Sequence, residues 1–267
     1  GYLTTLFSDE AVRIIEASQP DRPFFLSVHY NAPHWPWEGP EDQAVSAQLR
    51  DMFHWDGGDL ATYGAMLAAM DHGVGRIMAA LKAKGIDSNT IVVFTSDNGG
   101  VGGYEREGIK QANGITDNAP LRGGKGMLYE GGVHVPYIFR WKGKIPAGAT
   151  CRVPINSVDL YPTLLAAAHR QAPADLDGKN LWPLFLNNNA TAKRNRSWEV
   201  YSANVNALSY SFLSESGDWR LSSVQGHPPS LFKLSENPAG EIDVAGQHQG
   251  ATATLTAEFW QEKKKKS

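Results

Sequence analysis

Three short stretches of this 267-residue chain carry side chains whose types and spacing suit chemistry. The first is Asp97-Asn98, which closes the apolar, β-branched run TIVVFTSDNGG at residues 90–100. Such a run reads as a buried parallel strand whose polar end delivers side chains to the carboxyl edge of a sheet, where open α/β sheets place their ligands. Adjacent Asp and Asn offer only oxygen donors, which suits a hard cation, Ca²⁺ or Mg²⁺. Taken alone, Asp-Asn-Gly-Gly favours a plain turn. The second stretch is LRGGKG, residues 121–126, where Lys125 stands among glycines with no side chains to shield it. A lysine so placed can reach an anion that also touches a metal. The other reading is a flexible surface loop with a solvated ammonium. The third is His34, set between Pro33 and Trp35-Pro36. Proline on both sides stiffens the backbone and fixes where the imidazole points. A surface loop histidine is the ordinary alternative. Trp35 and Trp37 read equally as a face for a sugar or aromatic substrate and as packing for the loop.

Elements must position these groups. Residues 8–17 read as a helix that Ser8 caps, with Asp9 and Glu10 in its first turn and Ala11, Ile14 and Ile15 on its apolar face. Pro20 and Pro23 break it, and FFLSVHY at residues 24–30 reads as a buried strand. Residues 59–84 form the longest predicted helix, with Leu60, Tyr63, Met66, Leu67, Met70 and Val74 at helical spacing. Its methionines are core filler, and Asp71 and His72, mid-helix, read as structural or surface residues rather than site residues. Gly85 ends the helix, and the strand leading to Asp97 follows. Helix, strand, helix, strand predicts a mostly parallel sheet with crossover helices.

Residues 101–118 read as a long glycine-rich loop that shapes substrate entry. Arg122 can pair with a carboxylate or face the anion, and reads first as half of a structural ion pair. A strand is expected at 135–141 and a helix at 157–168, with Ser157 or Asp159 near its start. After a polar linker at 187–195, short strands at 198–201, 207–213, 219–222 and 231–234 predict a small antiparallel sheet, packed by a helix at 255–264. The expected division is residues 1–186 for an α/β domain and 187–267 for the antiparallel subdomain.

Composition is that of an ordinary globular chain, with 42% hydrophobic residues and a formal net charge of -3. The basic tail at 263–266 is too short to signal nucleic-acid binding. A single cysteine, Cys151, excludes an internal disulfide and a cysteine-rich zinc site. No apolar run approaches the roughly 18 residues of a membrane span. The sequons at Asn189 and Asn195 read as chance occurrences.

SDNGG followed by APLRGGKGMLYEGGVHVPYIFRWKGKIPAG closely resembles the sulfatase family, within the alkaline-phosphatase-like superfamily. NAPHWPW at residues 31–37 resembles that family's upstream histidine segment. The resemblance implies a partial alkaline-phosphatase-like sandwich and a sulfuric ester hydrolase acting on a sulfated small molecule or glycan. It implies that Asp97 and Asn98 bind Ca²⁺, with Mg²⁺ possible, that Lys125 binds the sulfate, and that His34 binds the ester and helps protonate the leaving oxygen. It also implies a formylglycine nucleophile in a Cys/Ser-x-Pro-x-Arg motif and an early strand ending in paired Asp. The family places both before the point where this chain begins. The chain is therefore expected to be the family's C-terminal portion, to bind the cation poorly alone and to show no turnover by itself.

Ser18-Gln19-Pro20-Asp21-Arg22 fits the nucleophile pattern, but Ser18 closes a helix where the family's nucleophile opens one. Cys151 has Pro and Arg at the wrong offsets. His134 departs from the family, which more often carries Arg there; this leaves open the ion pairing beneath the lysine loop. The enzymatic alternative is a phosphodiesterase or phosphonate hydrolase of the same superfamily. The other is a non-catalytic carbohydrate-binding relative. The family suggests a periplasmic, secreted or lysosomal location.

Overall fold

A computed structural model describes residues 1–35, 37–42, 59–101, 116–186, 194–202 and 207–266. The expected entry loop at 101–118 lies largely outside the described residues. The chain divides into two compact units. The described residues of one come from 1–93 and 139–143, those of the other from 94–101, 116–138 and 144–266.

In the first unit, helix α1 spans Leu3–Ala17 and helix α2 spans Leu60–Ala83. Ile15, Ala80 and Leu81 form their shared core, with Val12, Leu26 and Ile77 packed against it. Asp59 caps α2 by accepting from the Thr62 amide. Ser8 does not cap α1. The helix begins earlier, at Leu3, and the buried Ser8 hydroxyl donates back to the Thr4 carbonyl at 2.9 Å. That back-bond is the usual resort of a mid-helix serine. Ser8 is small for a reason visible across the interface: a Cβ on Gly73 of α2 would stand 2.1 Å from Ser8 Oγ. Asp9 pairs with Arg76 of α2 at 2.6 Å. Ser18 ends α1 and donates its hydroxyl to Ile15 O at 2.7 Å, as a C-terminal residue rather than a helix opener.

Residues 24–30 are not the buried strand expected. They run without a ladder partner among the described residues; Leu26 packs against the helix pair and Tyr30 Oη lies 2.9 Å from Ser8 Oγ, while Phe25 is 78% exposed. The apolar run predicted burial on both faces, and only one face is covered. Strand β1, Val92–Thr95, pairs with β2, Tyr137–Arg140, in a two-stranded sheet.

In the second unit, a single helical turn, α3, spans Glu130–Val133, and α4 spans Leu160–Ala167. A 3₁₀ turn, Ser157–Asp159, leads into α4, so Ser157 and Asp159 do lie at its start; Asn156 caps that turn, its side chain and that of Asp159 bonding each other's backbone in a capping box. Buried Asp159 also pairs with Arg194 at 2.6 Å. After α5, Trp182–Leu186, the chain builds an antiparallel sheet in the order β3 (Arg196–Ser202), β4 (Ala207–Leu213), β5 (Trp219–Val224) and β6 (Ser230–Lys233). Helix α6, Gln249–Lys266, covers it. Tyr210, Phe212, Leu221, Leu231, Leu255 and Phe259 form the core, with Phe259 stacked on Tyr210 at 4.2 Å between ring centroids. The four expected strands and the terminal helix are all present. No helix among the described residues is long and apolar enough to cross a membrane.

Candidate active site

Strand β1 ends at Thr95, and the chain turns through Ser96 to Gly100. Asp97 is exposed and Asn98 half-buried. Asp97 Oδ1 accepts the Asn98 amide at 2.8 Å, and Asn98 Nδ2 donates to Gly99 O at 3.0 Å. These bonds leave Asp97 Oδ2 and Asn98 Oδ1 as oxygen acceptors with no donor among the described residues. Two such oxygens fit part of the shell of a hard cation, which takes about six or more. Among the described residues no three His, Cys, Asp or Glu side chains gather as a metal site.

The lysine loop is bound to this turn by direct backbone contacts. The Gly99 amide donates to Gly132 O at 3.0 Å, and the Lys125 amide to Gly100 O at 2.9 Å. Glycine is needed there for approach. A Cβ on Gly99 would stand 1.7 Å from Gly131 O, one on Gly124 2.5 Å from Gly100 O, and one on Gly131 2.3 Å from Gly123 O. Gly123 and Gly126, on either side of Gly124-Lys125, take positive φ of 76° and 84°, the left-handed region that side chains disfavour. Lys125 thus leaves a loop whose backbone is fixed on both flanks, and its stem is half-buried.

Asn118, which nothing in the local sequence marks as a site residue, ties these segments together. Its Oδ1 accepts the Gly100 amide at 3.0 Å, and its Nδ2 donates to Gly100 O at 2.9 Å and Gly123 O at 3.0 Å. The one available signal is an amide at the head of NAPLRGGKG.

Beneath the loop lies an ion-pair group. Glu130, buried in α3, pairs with Arg220 of β5 and with His134, whose Nδ1 lies 3.1 Å from Glu130 Oε2. Burial pushes the Glu130 carboxyl up, but the His134 bond and the Arg220 charge outweigh it and hold it below its ordinary value. The bond to Glu130 raises His134. Burial lowers Arg220, against the opposing pull of Glu130. The ion pairing beneath the lysine loop is thus made by Glu130 with His134 and Arg220. Arg122, expected in an ion pair, instead lies over the Tyr129 ring at 4.0 Å and donates to Gly240 O at 3.3 Å.

In the first unit, His34 is exposed on a loop pinned by Trp37. Trp37 is buried with Ala32 and Met66, and its Nε1 donates to Pro33 O at 3.2 Å. Packing is therefore what Trp37 does. Trp35 is half-buried, with its ring 6.1 Å from the imidazole in a stacked arrangement.

The profile of the Sulfatase family matches residues 1–170, and that of the C-terminal region of N-sulphoglucosamine sulphohydrolase matches residues 124–262. The chain is 37% identical over 186 residues to the uncharacterized sulfatase YdeN of Escherichia coli, covering 68% of this chain and 31% of that protein. It is 27% identical over 275 residues to an N-acetylgalactosamine-6-O-sulfatase of Bacteroides thetaiotaomicron, covering 96% of this chain and 52% of that one. The crystal structure of Ps i-CgsB superposes with a TM-score of 0.81 at 31% identity, covering 97% of this chain and 54% of that chain. The same protein has been solved in complex with k-i-k-neocarrahexaose. The chain thus spans about a third to a half of the length of these relatives.

Proposed function

This chain belongs to the sulfatase family, and from that premise we propose that the protein hydrolyses a sulfuric ester of a sugar, with Lys125, Asp97, Asn98 and His34 among its working residues. The observation that carries the reading is the backbone-clamped lysine loop: Lys125 emerges between Gly124 and Gly126, and its own amide is bonded to the turn that bears Asp97 and Asn98.

Each residue has a role its chemistry supports. Lys125 offers three donors and a full charge to sulfate oxygens. Asp97 Oδ2 and Asn98 Oδ1 would hold a hard cation, Ca²⁺ before Mg²⁺. A bound cation of this kind supplies charge stabilisation to the oxygens of the ester. His34 gives a proton to the departing alcohol oxygen. A sugar substrate is supported by the names of the relatives, an N-acetylgalactosamine-6-O-sulfatase and a structure bound to neocarrahexaose.

The test, on a protein that also carries the family's nucleophile segment, is release of inorganic sulfate from a panel of sulfated oligosaccharides and an aryl sulfate, with a phosphonate monoester as comparator. The reading expects a sulfated sugar to be the preferred substrate and Lys125→Ala to lower kcat/KM by about 10²-fold or more. Hydrolysis of the phosphonate alone, or sulfate release indifferent to Lys125→Ala, would overturn it.

A further inference from the structure

We propose that Arg220 is a positioning residue for both site loops, acting through Glu130 and the glycine contact above it. Arg220 lies on β5, far beyond Lys125 in the chain, and its side chain is 3% exposed. Its guanidinium spreads its donors over several partners. One nitrogen pairs with Glu130, and Nη1 donates to Leu128 O at 3.0 Å and to Ser211 Oγ at 3.0 Å. It therefore grips the segment 128–130 by both main chain and side chain.

That segment is the floor of the site. Directly after Glu130, the Gly131 amide donates to Arg122 O at 2.8 Å, and Gly132 O accepts the Gly99 amide. Gly131 O is the atom against which Gly99 closes, and Gly123 O is the atom against which Gly131 closes. A shift of Glu130 therefore moves Gly131 and Gly132, and with them both the Asp97-Asn98 turn and the base of the Lys125 loop. No rotamer intervenes to absorb it.

A buried charge pair is a weak device for stability, because desolvation offsets most of the attraction, and well-packed apolar residues do as well. What a guanidinium adds is a rigid fork with fixed directions. Here those directions end on the one turn that both loops rest upon. The catalytic consequence rests on the sulfuric-ester reading; the positioning itself does not.

The experiment is amide hydrogen exchange on the protein carrying Arg220→Met, and on the double variant Glu130→Gln/Arg220→Met. The double variant leaves no uncompensated buried carboxylate and so keeps the fold testable if the single variant does not fold. The expected result is a rise of roughly tenfold or more in exchange at the Gly99, Lys125 and Gly131 amides, with the β4–β5 ladder around Phe212 and Leu221 still protected. In sulfate-ester kinetics the loss appears mainly as a raised KM, since ground-state contacts to sulfate and cation are displaced together. Wild-type protection at those three amides overturns the proposal, as does a rise shared equally by the β4–β5 ladder. If the unaltered protein releases no sulfate yet shows the local pattern, the functional reading fails and the positioning role stands.

Discussion

His34 Nδ1 lies 2.6 Å from the carbonyl oxygen of Trp35. A carbonyl only accepts, so Nδ1 must carry the hydrogen in that bond, and in the neutral ring Nε2 then carries none. From Nε2, His34 can then donate a proton only as the imidazolium. Nitrogen-15 NMR of the histidine ring should find the neutral form of His34 as the Nδ1–H tautomer. An Nε2–H tautomer would exclude the arrangement. In activity, His34→Ala should cost about 10²–10⁴-fold in kcat.

The glycines divide by what surrounds them. Gly75, inside α2, has nothing within 4 Å of where a Cβ would stand, so Gly75→Ala should stabilise by about 0.5–1 kcal/mol. Gly131→Ala meets Gly123 O at 2.3 Å and should destabilise by about 1–3 kcal/mol or more. Gly73→Ala meets Ser8 Oγ at 2.1 Å, and Ser8→Ala in the same chain should recover part of that loss. Urea denaturation of the four variants checks the order.

His134 and Glu130 set opposite pH limits. The Glu130 bond raises His134, so the stability this pair contributes is complete below the unfolded value of about 6.5 and is lost as pH rises through the raised value. Glu130, held low despite its burial, contributes stability above its unfolded value that is lost as pH falls through the lowered one. Melting temperature followed across pH should therefore decline on the alkaline side in the native protein, and His134→Gln should flatten that limb and also weaken the acid limb, since the His134 bond helps to hold Glu130 low. An unchanged alkaline limb would count against the pairing.

Cation binding has a thermal signature independent of turnover. Ca²⁺ at about a hundred times its Kd should stabilise by about 2.7 kcal/mol, chelation should reverse this, and Asp97→Ala should abolish it. Differential scanning calorimetry with and without Ca²⁺ makes the comparison. Equal Ca²⁺ stabilisation of native protein and Asp97→Ala would remove Asp97 from the ligand set.

Helical periodicity makes α2 legible almost to the residue, since its apolar positions and Asp59 both follow local rules. Alternation and turn residues do the same for β3 to β6. Where sequence and structure part, one cause recurs. Ser8, residues 24–30 and Trp37 each have a plausible local reading, yet each is settled by something distant: Gly73 across the helix pair, the one-sided cover of the extended run, and the cluster with Met66. The loops around Lys125 are visible as glycine-rich, but the reason for the glycines is not. Turn geometry explains Gly123 and Gly126, while Gly99, Gly124 and Gly131 answer to carbonyls in other segments. Arg220 carries no sequence signal at all, because an arginine in a strand reads as exposed until its partner is known.

The contact of Gly99 with Gly131 bears on how this protein could change over generations. Main chain against main chain leaves no side chain to trade, so neither loop can drift alone: a substitution in one has no compensating substitution in the other. A mutational scan should record Gly99, Gly124 and Gly131 as positions that accept no side chain.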